Sequence, residues 1–262
     1  MQKYERSAKD LMHDFAKAEL KHGQIFTKAD AVRWFGIHYP KLKSNTVGLH
    51  VDGMAVNSQN RKHHPHIRAG LGWDLFYKLP TGQFRLWDKD TDPTPIYRDD
   101  IISGQTVTTQ TNTAEPEEPD DEIPASDSGN TFAYEKHLQD YLVRNLSSLE
   151  AGLQLYEEEG FTGVEYPVGG RFIDILCLDT NGSFVIIELK VSRGHDRVIG
   201  QILRYMGWIQ KHLAEKKQVR GIIVASEITE DLRLAASQVP EIKLMEYEIS
   251  FRLKPATGSL AG

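Results

Sequence analysis

The sequence predicts an α/β protein in two parts: a mixed sheet covered by helices in the second half, preceded by a small, mainly helical unit. Three observations lead there. From residue 131 onward, helical and strand-like periodicities alternate, the order expected of a sheet packed between helices. Before residue 100, three short helical patterns run into one hairpin signal. Between them, "SGQTVTTQTNTAEPEEPDDEIPASDSGN" (103–130) has no apolar periodicity and is rich in Thr, Pro and acid, a composition that cannot bury enough surface to fold. The expected division is therefore residues 1–100, an acidic linker over 101–130, and residues 131–262. A flexible linker of that length spans on the order of 30 Å, which lets its two neighbours work side by side on one extended ligand.

The elements follow in order. Residues 4–22 form an amphipathic helix with Leu11, Phe15 and Ala18 on one side, closed by Gly23. Thr27 has the side chain of an N-cap for a second helix through Phe35, and Pro40 separates this from a third, 44–54, which Gly48 and Gly53 weaken. Residues 75–87 read as two strand arms around Pro-Thr-Gly. Three helices followed by a hairpin is the order of a winged helix-turn-helix, a resemblance that implies DNA recognition by the third helix. After the linker come a helix (131–146), strands near 161–166, at 171–178 and at 183–191, a helix (196–214), a strand (219–225), a helix (229–238) and a strand (242–252).

Composition bounds the function classes. A 40% hydrophobic fraction in 262 residues is ample for a core. No apolar run approaches the roughly 18 residues of a membrane span, and the first residues lack the basic and apolar parts of a signal peptide, so a cytoplasmic protein is expected. Cys177 is the single cysteine and lies in an apolar strand, which reads as core packing. The net charge of −6 is uneven: +4 over residues 1–100, −7 over 101–128 and −3 over 129–262, with seven of the ten histidines in the first segment. Overall acidity therefore does not exclude nucleic-acid binding by the N-terminal part.

The chemistry concentrates in "GGRFIDILCLDTNGSFVIIELK". Asn181-Gly182 is a strong hairpin signal, and Asp174 and Glu188 lie symmetrically about Asn181. A short loop then sets the two carboxylates nearly opposite each other on adjacent strands, on one face. Lys190 shares the face of Glu188, because side chains alternate along a strand. Two carboxylates so close repel each other unless a cation bridges them. The plainer reading of Glu188 and Lys190 is an ion pair on a solvated sheet face. Asp174 on the paired strand argues against it, as do Gln201 and Tyr205 at i and i+4 on the following helix and Glu135 on the preceding one.

These residues together resemble the PD-(D/E)xK nuclease superfamily, and "GGRFIDILCLDTNGSFVIIELK" followed by "VIGQILRYMGWI" resembles the C-terminal domain of the endonuclease NucS (EndoMS) family. The resemblance covers roughly residues 131–225. It departs from the superfamily pattern in lacking the proline before Asp174, where Phe172 and Ile173 stand. It implies a restriction-endonuclease-like mixed sheet flanked by helices and a metal-dependent DNA endonuclease. Asp174 and Glu188, with the main-chain carbonyl of Leu189, would hold one or two Mg²⁺ or Mn²⁺ ions. Lys190 would orient the attacking water, Gln201 would position substrate or Lys190, and Glu135 could support a second metal or a water. Tyr205 could contact phosphate or only buttress its helix. DNA, double-stranded, is the expected partner, with a homodimer possible.

Several basic or polar groups read as DNA contacts. In "NRKHHPHIR" (60–68) these are Arg61, Lys62, His63, His64 and Arg68; zinc is disfavoured because this half has no cysteine and no second ligand pair. On the third helix Asn45, Thr46 and His50 could meet base edges. In "SRGHDRV" (192–198) Arg193, His195 and Arg197 lie just past the site. The expected role is restriction or defence; the alternatives are a structure- or mismatch-specific repair nuclease and a DNA-binding module with a dormant nuclease fold.

Overall fold

The computed structural model describes residues 3–64, 66–97, 128–194 and 196–249. The expected linker segment 101–127 and the end of the expected last strand, 250–252, lie outside the described residues.

In the N-terminal part, α1 (Ala8–Glu19), α2 (Lys28–His38) and α3 (Ser44–Gly53) precede a two-stranded antiparallel hairpin of β1 (Phe76–Lys78) and β2 (Phe84–Leu86). Thr27 caps α2 as its side chain foretold, accepting from the Asp30 N–H while the Asp30 carboxylate accepts from the Thr27 N–H. Phe26 pairs with Phe84 through two main-chain bonds of 2.8 Å, which brings Phe15, Phe26, Phe76 and Phe84 into one aromatic core.

The C-terminal part is a mixed sheet between helices. Its elements are α4 (Ser128–Arg144), β3 (Gln154–Leu155), β4 (Glu157–Glu158), β5 (Phe161–Thr162), β6 (Val164–Val168), β7 (Arg171–Leu178), β8 (Phe184–Gly194), α5 (Arg197–Ile209), β9 (Val219–Ile228), α6 (Glu230–Ala236) and β10 (Ile242–Glu246). The sheet runs β10-β9-β8-β7-β3, with β6 also on β7; β8, β9 and β10 are parallel, and the other pairings are antiparallel. Alternation along the buried strands sorts side chains between two layers. Ile175, Cys177, Val185, Ile187 and Leu189 pack with Leu138 and Leu142 of α4. Leu176, Ile186 and Ile223 pack with Ile202, Tyr205 and Ile209 of α5. At Gly221 a Cβ would meet Ile202 Cδ1 at 2.5 Å, so the missing side chain lets α5 lie close on the sheet. Cys177 is core, and burial pushes its thiol up to about 12.

The two parts pack against each other through a hairpin that the sequence did not announce. β4 and β5 close over Glu159 and Gly160, both at positive φ (50° and 90°), as a two-residue type I′ loop requires. The hairpin presents Phe161, which is buried against His50, His64 and Trp73, with edge-on ring contacts at 4.9, 4.7 and 6.0 Å. A Cβ at Gly53 would lie 3.3 Å from the Phe161 ring, so the glycine that weakens α3 as a helix leaves room for this contact. The Glu159 carboxylate accepts from the N–H groups of Lys3 and Ala8, the latter at the start of α1.

Candidate active site

β7 and β8 pair in the register that symmetry about Asn181 predicts: Leu178↔Phe184, Cys177↔Val185, Leu176↔Ile186 and Ile175↔Ile187. Beyond Ile175 the strands part. The Leu189 N–H, next in line to bond β7, donates to Asp174 Oδ2 at 2.7 Å instead of to a main-chain oxygen. The Asp174 carboxylate thus fills the opening between the strands. The N–H and C=O of one strand residue point the same way, so the Leu189 carbonyl turns into that opening too. Glu188 is 1% exposed, and Lys190 Nζ lies 3.2 Å from its Oε1.

The electrostatics follow from this burial. Burial pushes the Asp174 carboxyl up to about 7, although the Leu189 N–H and Lys190 pull it down; Glu135 and Glu165 add to the rise. For Lys190, burial pulls the ammonium down, yet Glu188 and then Asp174 outweigh it and hold its pKa above the ordinary value. At Asp174 burial thus outweighs the help of the Leu189 N–H and Lys190.

Comparison with known proteins decides the kinship of this part. Residues 134–253 match the family described as the endonuclease NucS C-terminal domain. The C-terminal part resembles the NucS C-terminal domain. Endonuclease NucS of Parafrankia sp. (strain EAN1pec) is 33% identical over 127 residues, covering 48% of this chain and 54% of the relative. The enzyme of the same name from Methanocaldococcus jannaschii is 33% identical over 104 residues, covering 39% and 36%. The chain thus spans about half or less of the length of these relatives. Among solved structures, an EndoMS–dsDNA complex matches at 24% identity and a TM-score of 0.35, over 52% of this chain and 51% of that one. A repair endonuclease from Pyrococcus abyssi matches at 21% identity and 0.36, over 46% and 47%. Residues 7–86 match a different family, described as a domain of unknown function (DUF7669).

The donor chemistry of the C-terminal part fits a hard divalent cation. The Asp174 and Glu188 carboxylates both act on Lys190, and the Leu189 main chain touches Asp174, so oxygen donors that suit a hard divalent cation lie in one neighbourhood. Among the described residues no three His, Cys, Asp or Glu side chains group as a metal site. The expected helical residues divide. Glu135 of α4 lies near enough to bias Asp174, Lys190 and Tyr247. On α5, which covers the sheet face of Glu188, the half-buried Gln201 donates to the hydroxyl of the buried Tyr205 at 3.2 Å. Tyr205 is thus part of the core that seats Gln201.

Sequence reasoning missed three residues here. Gln139 of α4 donates to the Asp174 carbonyl at 3.0 Å. Glu165 of β6 falls opposite Asp174, and Tyr247 donates to the Val191 carbonyl at 3.1 Å. Gln139, four residues after Glu135 and so on the same helix face, carried a signal that could have been read.

The expected base-reading helix is corrected. α3 is covered by the C-terminal part: Asn45 donates to the Tyr166 hydroxyl at 3.0 Å, and the buried Thr46 donates to Glu158 Oε2 at 3.1 Å. His50 has no exposed surface, and its Nδ1 lies 2.8 Å from the Thr46 carbonyl. The buried Thr46 and His50 cannot reach a base edge in this arrangement, and the half-buried Asn45 has its amide turned to Tyr166. The histidine loop changes meaning as well. Arg61 is fully buried and paired with Asp74 at 2.6 Å, and the buried His64 packs edge-on against Phe161. Arg68 and Arg197 are exposed. The side chains of Lys62, His63 and Arg193, and all of His195, lie outside the described residues.

Proposed function

We propose that this chain is a metal-dependent DNA endonuclease of a repair type, acting on mismatched or otherwise irregular duplexes. One observation supports the reading: in a domain that resembles that of NucS, the Leu189 N–H holds the Asp174 carboxylate where β7 and β8 separate, and Lys190 pairs with the adjacent Glu188. Asp174 and Glu188 would hold Mg²⁺ or Mn²⁺ together with the Leu189 carbonyl. A bound divalent ion polarises the scissile phosphate and lowers the pKa of a water it holds. Lys190, kept charged by its two carboxylate neighbours, orients that water and offsets charge gathering on the phosphate oxygens. Gln201, half-buried on α5, positions substrate from the same sheet face, and Glu135 supports the rim. Double-strand cutting by a protein with one such site calls for two copies.

The repair reading displaces the expectation of restriction or defence, since the relatives that share this domain are named for NucS. The dormant-module reading is disfavoured because every acidic and basic member of the site is in place.

The deciding experiment compares wild type with Glu188→Gln on mismatched, branched and plain duplexes, with Mg²⁺, Mn²⁺ or EDTA. Cleavage that needs metal, prefers irregular duplexes and falls about 100-fold or more in the variant is expected. Cleavage by a folded Glu188→Gln protein at the wild-type rate would remove the reading; preference for plain duplex would return it to restriction.

A further inference from the structure

On its β6 side, Asp174 is held by a side chain rather than by a strand. The β6–β7 ladder passes from Val164↔Ile175 to Tyr166↔Ile173, and the residue between, Glu165, stands at φ +48°. A non-glycine residue in that region breaks a regular ladder and costs about 1–3 kcal/mol, so the surroundings must hold it there. At this break Gln139, 5% exposed, reaches from α4 and donates to the Asp174 carbonyl.

The orientation of the Gln139 amide follows from its neighbours. Lys136 Nζ lies 2.9 Å from Oε1, and an ammonium has only donors, so this atom must be the amide oxygen. The NH₂ group is then turned to Asp174, whose carbonyl has only lone pairs to offer. Lys136 is fixed in turn by Asp140 at 3.5 Å and Glu165 at 3.8 Å. The kinked residue of β6 and the helix side chain thus belong to one connected arrangement.

We infer that Gln139 is a positioning residue for metal binding, with Lys136 and Glu165 as its latch. It fixes the Asp174 main chain where β7 leaves β8 and where the β6 ladder is interrupted at Glu165, so the carboxylate stays in the opening beside Leu189. Without it, the Asp174 carbonyl loses this bond, and the residue is left to the Leu189 N–H on its carboxylate and to the ladder pairs of its neighbours Ile173 and Ile175. A ligand so held loses orientation, and the loss of such a support commonly weakens metal affinity by about 10- to 100-fold. The inference rests on the reading that Asp174 and Glu188 hold the metal.

The test is Mn²⁺ binding to the full chain without DNA, by calorimetry, for wild type, Glu188→Gln and Gln139→Met, beside their melting curves. Methionine keeps the length and volume of glutamine but cannot donate. Expected are binding by wild type, none by Glu188→Gln, and affinity at least about tenfold weaker in Gln139→Met at an unchanged melting temperature. Cleavage by Gln139→Met, lost at low Mn²⁺, should recover at saturating Mn²⁺, which a merely structural defect would not do. Wild-type affinity in Gln139→Met overturns the inference and leaves the functional reading standing. Absence of Mn²⁺ binding by wild type overturns both. Should Gln139→Met fail to fold, Lys136→Met frees the amide to rotate, and wild-type affinity in that variant overturns the inference equally.

Discussion

The imidazole of His50 packs between Phe161 and Trp73 without exposed surface, and burial holds its pKa down to about 4, against 6.5 for an ordinary histidine. The folded protein keeps it neutral while the unfolded chain protonates it below 6.5. Its contribution is therefore whole above pH 6.5 and fades as pH falls towards 4, by on the order of 3 kcal/mol. Urea unfolding of wild type and His50→Asn should show wild type losing that much relative to the variant between pH 7.5 and 4; parallel losses would refute it. Single residues were unevenly legible. Asp174, Glu188 and Lys190 could be read because one hairpin fixes all three. Gln139 could be placed on the helix face of Glu135, but its contact with Asp174, 35 residues further on, follows from no local period. His50 was misread because polar side chains on a glycine-weakened helix look solvent-facing until a partner covers them.

Among the elements, β7 matches its expected span, residues 171–178, and β8 begins within one residue of expectation, since long apolar alternation flanking Asn-Gly leaves little freedom. β3 and β4 were not seen, being two residues each, too short for any period. The helix expected over 196–214 is α-helical to Ile209 and ends in a π turn, Gln210–Ala214, a change of hydrogen bonding that side-chain spacing does not signal. At this scale Gly163 is the sensitive point. Its N–H donates to the Tyr156 carbonyl at 2.7 Å and its carbonyl accepts from Leu176, and a Cβ there would sit 2.0 Å from the Leu176 oxygen. That neighbour is backbone and cannot swing aside. Gly163→Ala should destabilise the domain by about 3 kcal/mol in chemical denaturation; a loss under 1 kcal/mol would mean that β6 shifts freely on β7.

For the whole molecule, the sequence leads one to expect two parts with an acidic stretch between them, and it carries no sign of the contact between residues 3–97 and 128–249, because docking surfaces carry no period. Phe161 is the centre of that contact. Phe161→Ala should cost about 3–5 kcal/mol and speed amide exchange in α3 more than in β8; uniform exchange changes would argue that the two parts unfold as one unit. The same packing reshapes how the protein meets a polyanion. Binding to a charged backbone draws its salt-sensitive free energy from counterions released by cations that reach phosphate. Arg61 and the buried imidazoles of His50 and His64 are spent inside the fold, and Lys28 is held by Asp52. Each of these ion pairs, Arg61–Asp74 and Lys28–Asp52, takes one cation and one carboxylate out of play, so the net +4 of the first 100 residues is unchanged while fewer cations are left to meet phosphate. Any counterions released by its side chains must come from groups such as Arg68 that remain at the surface.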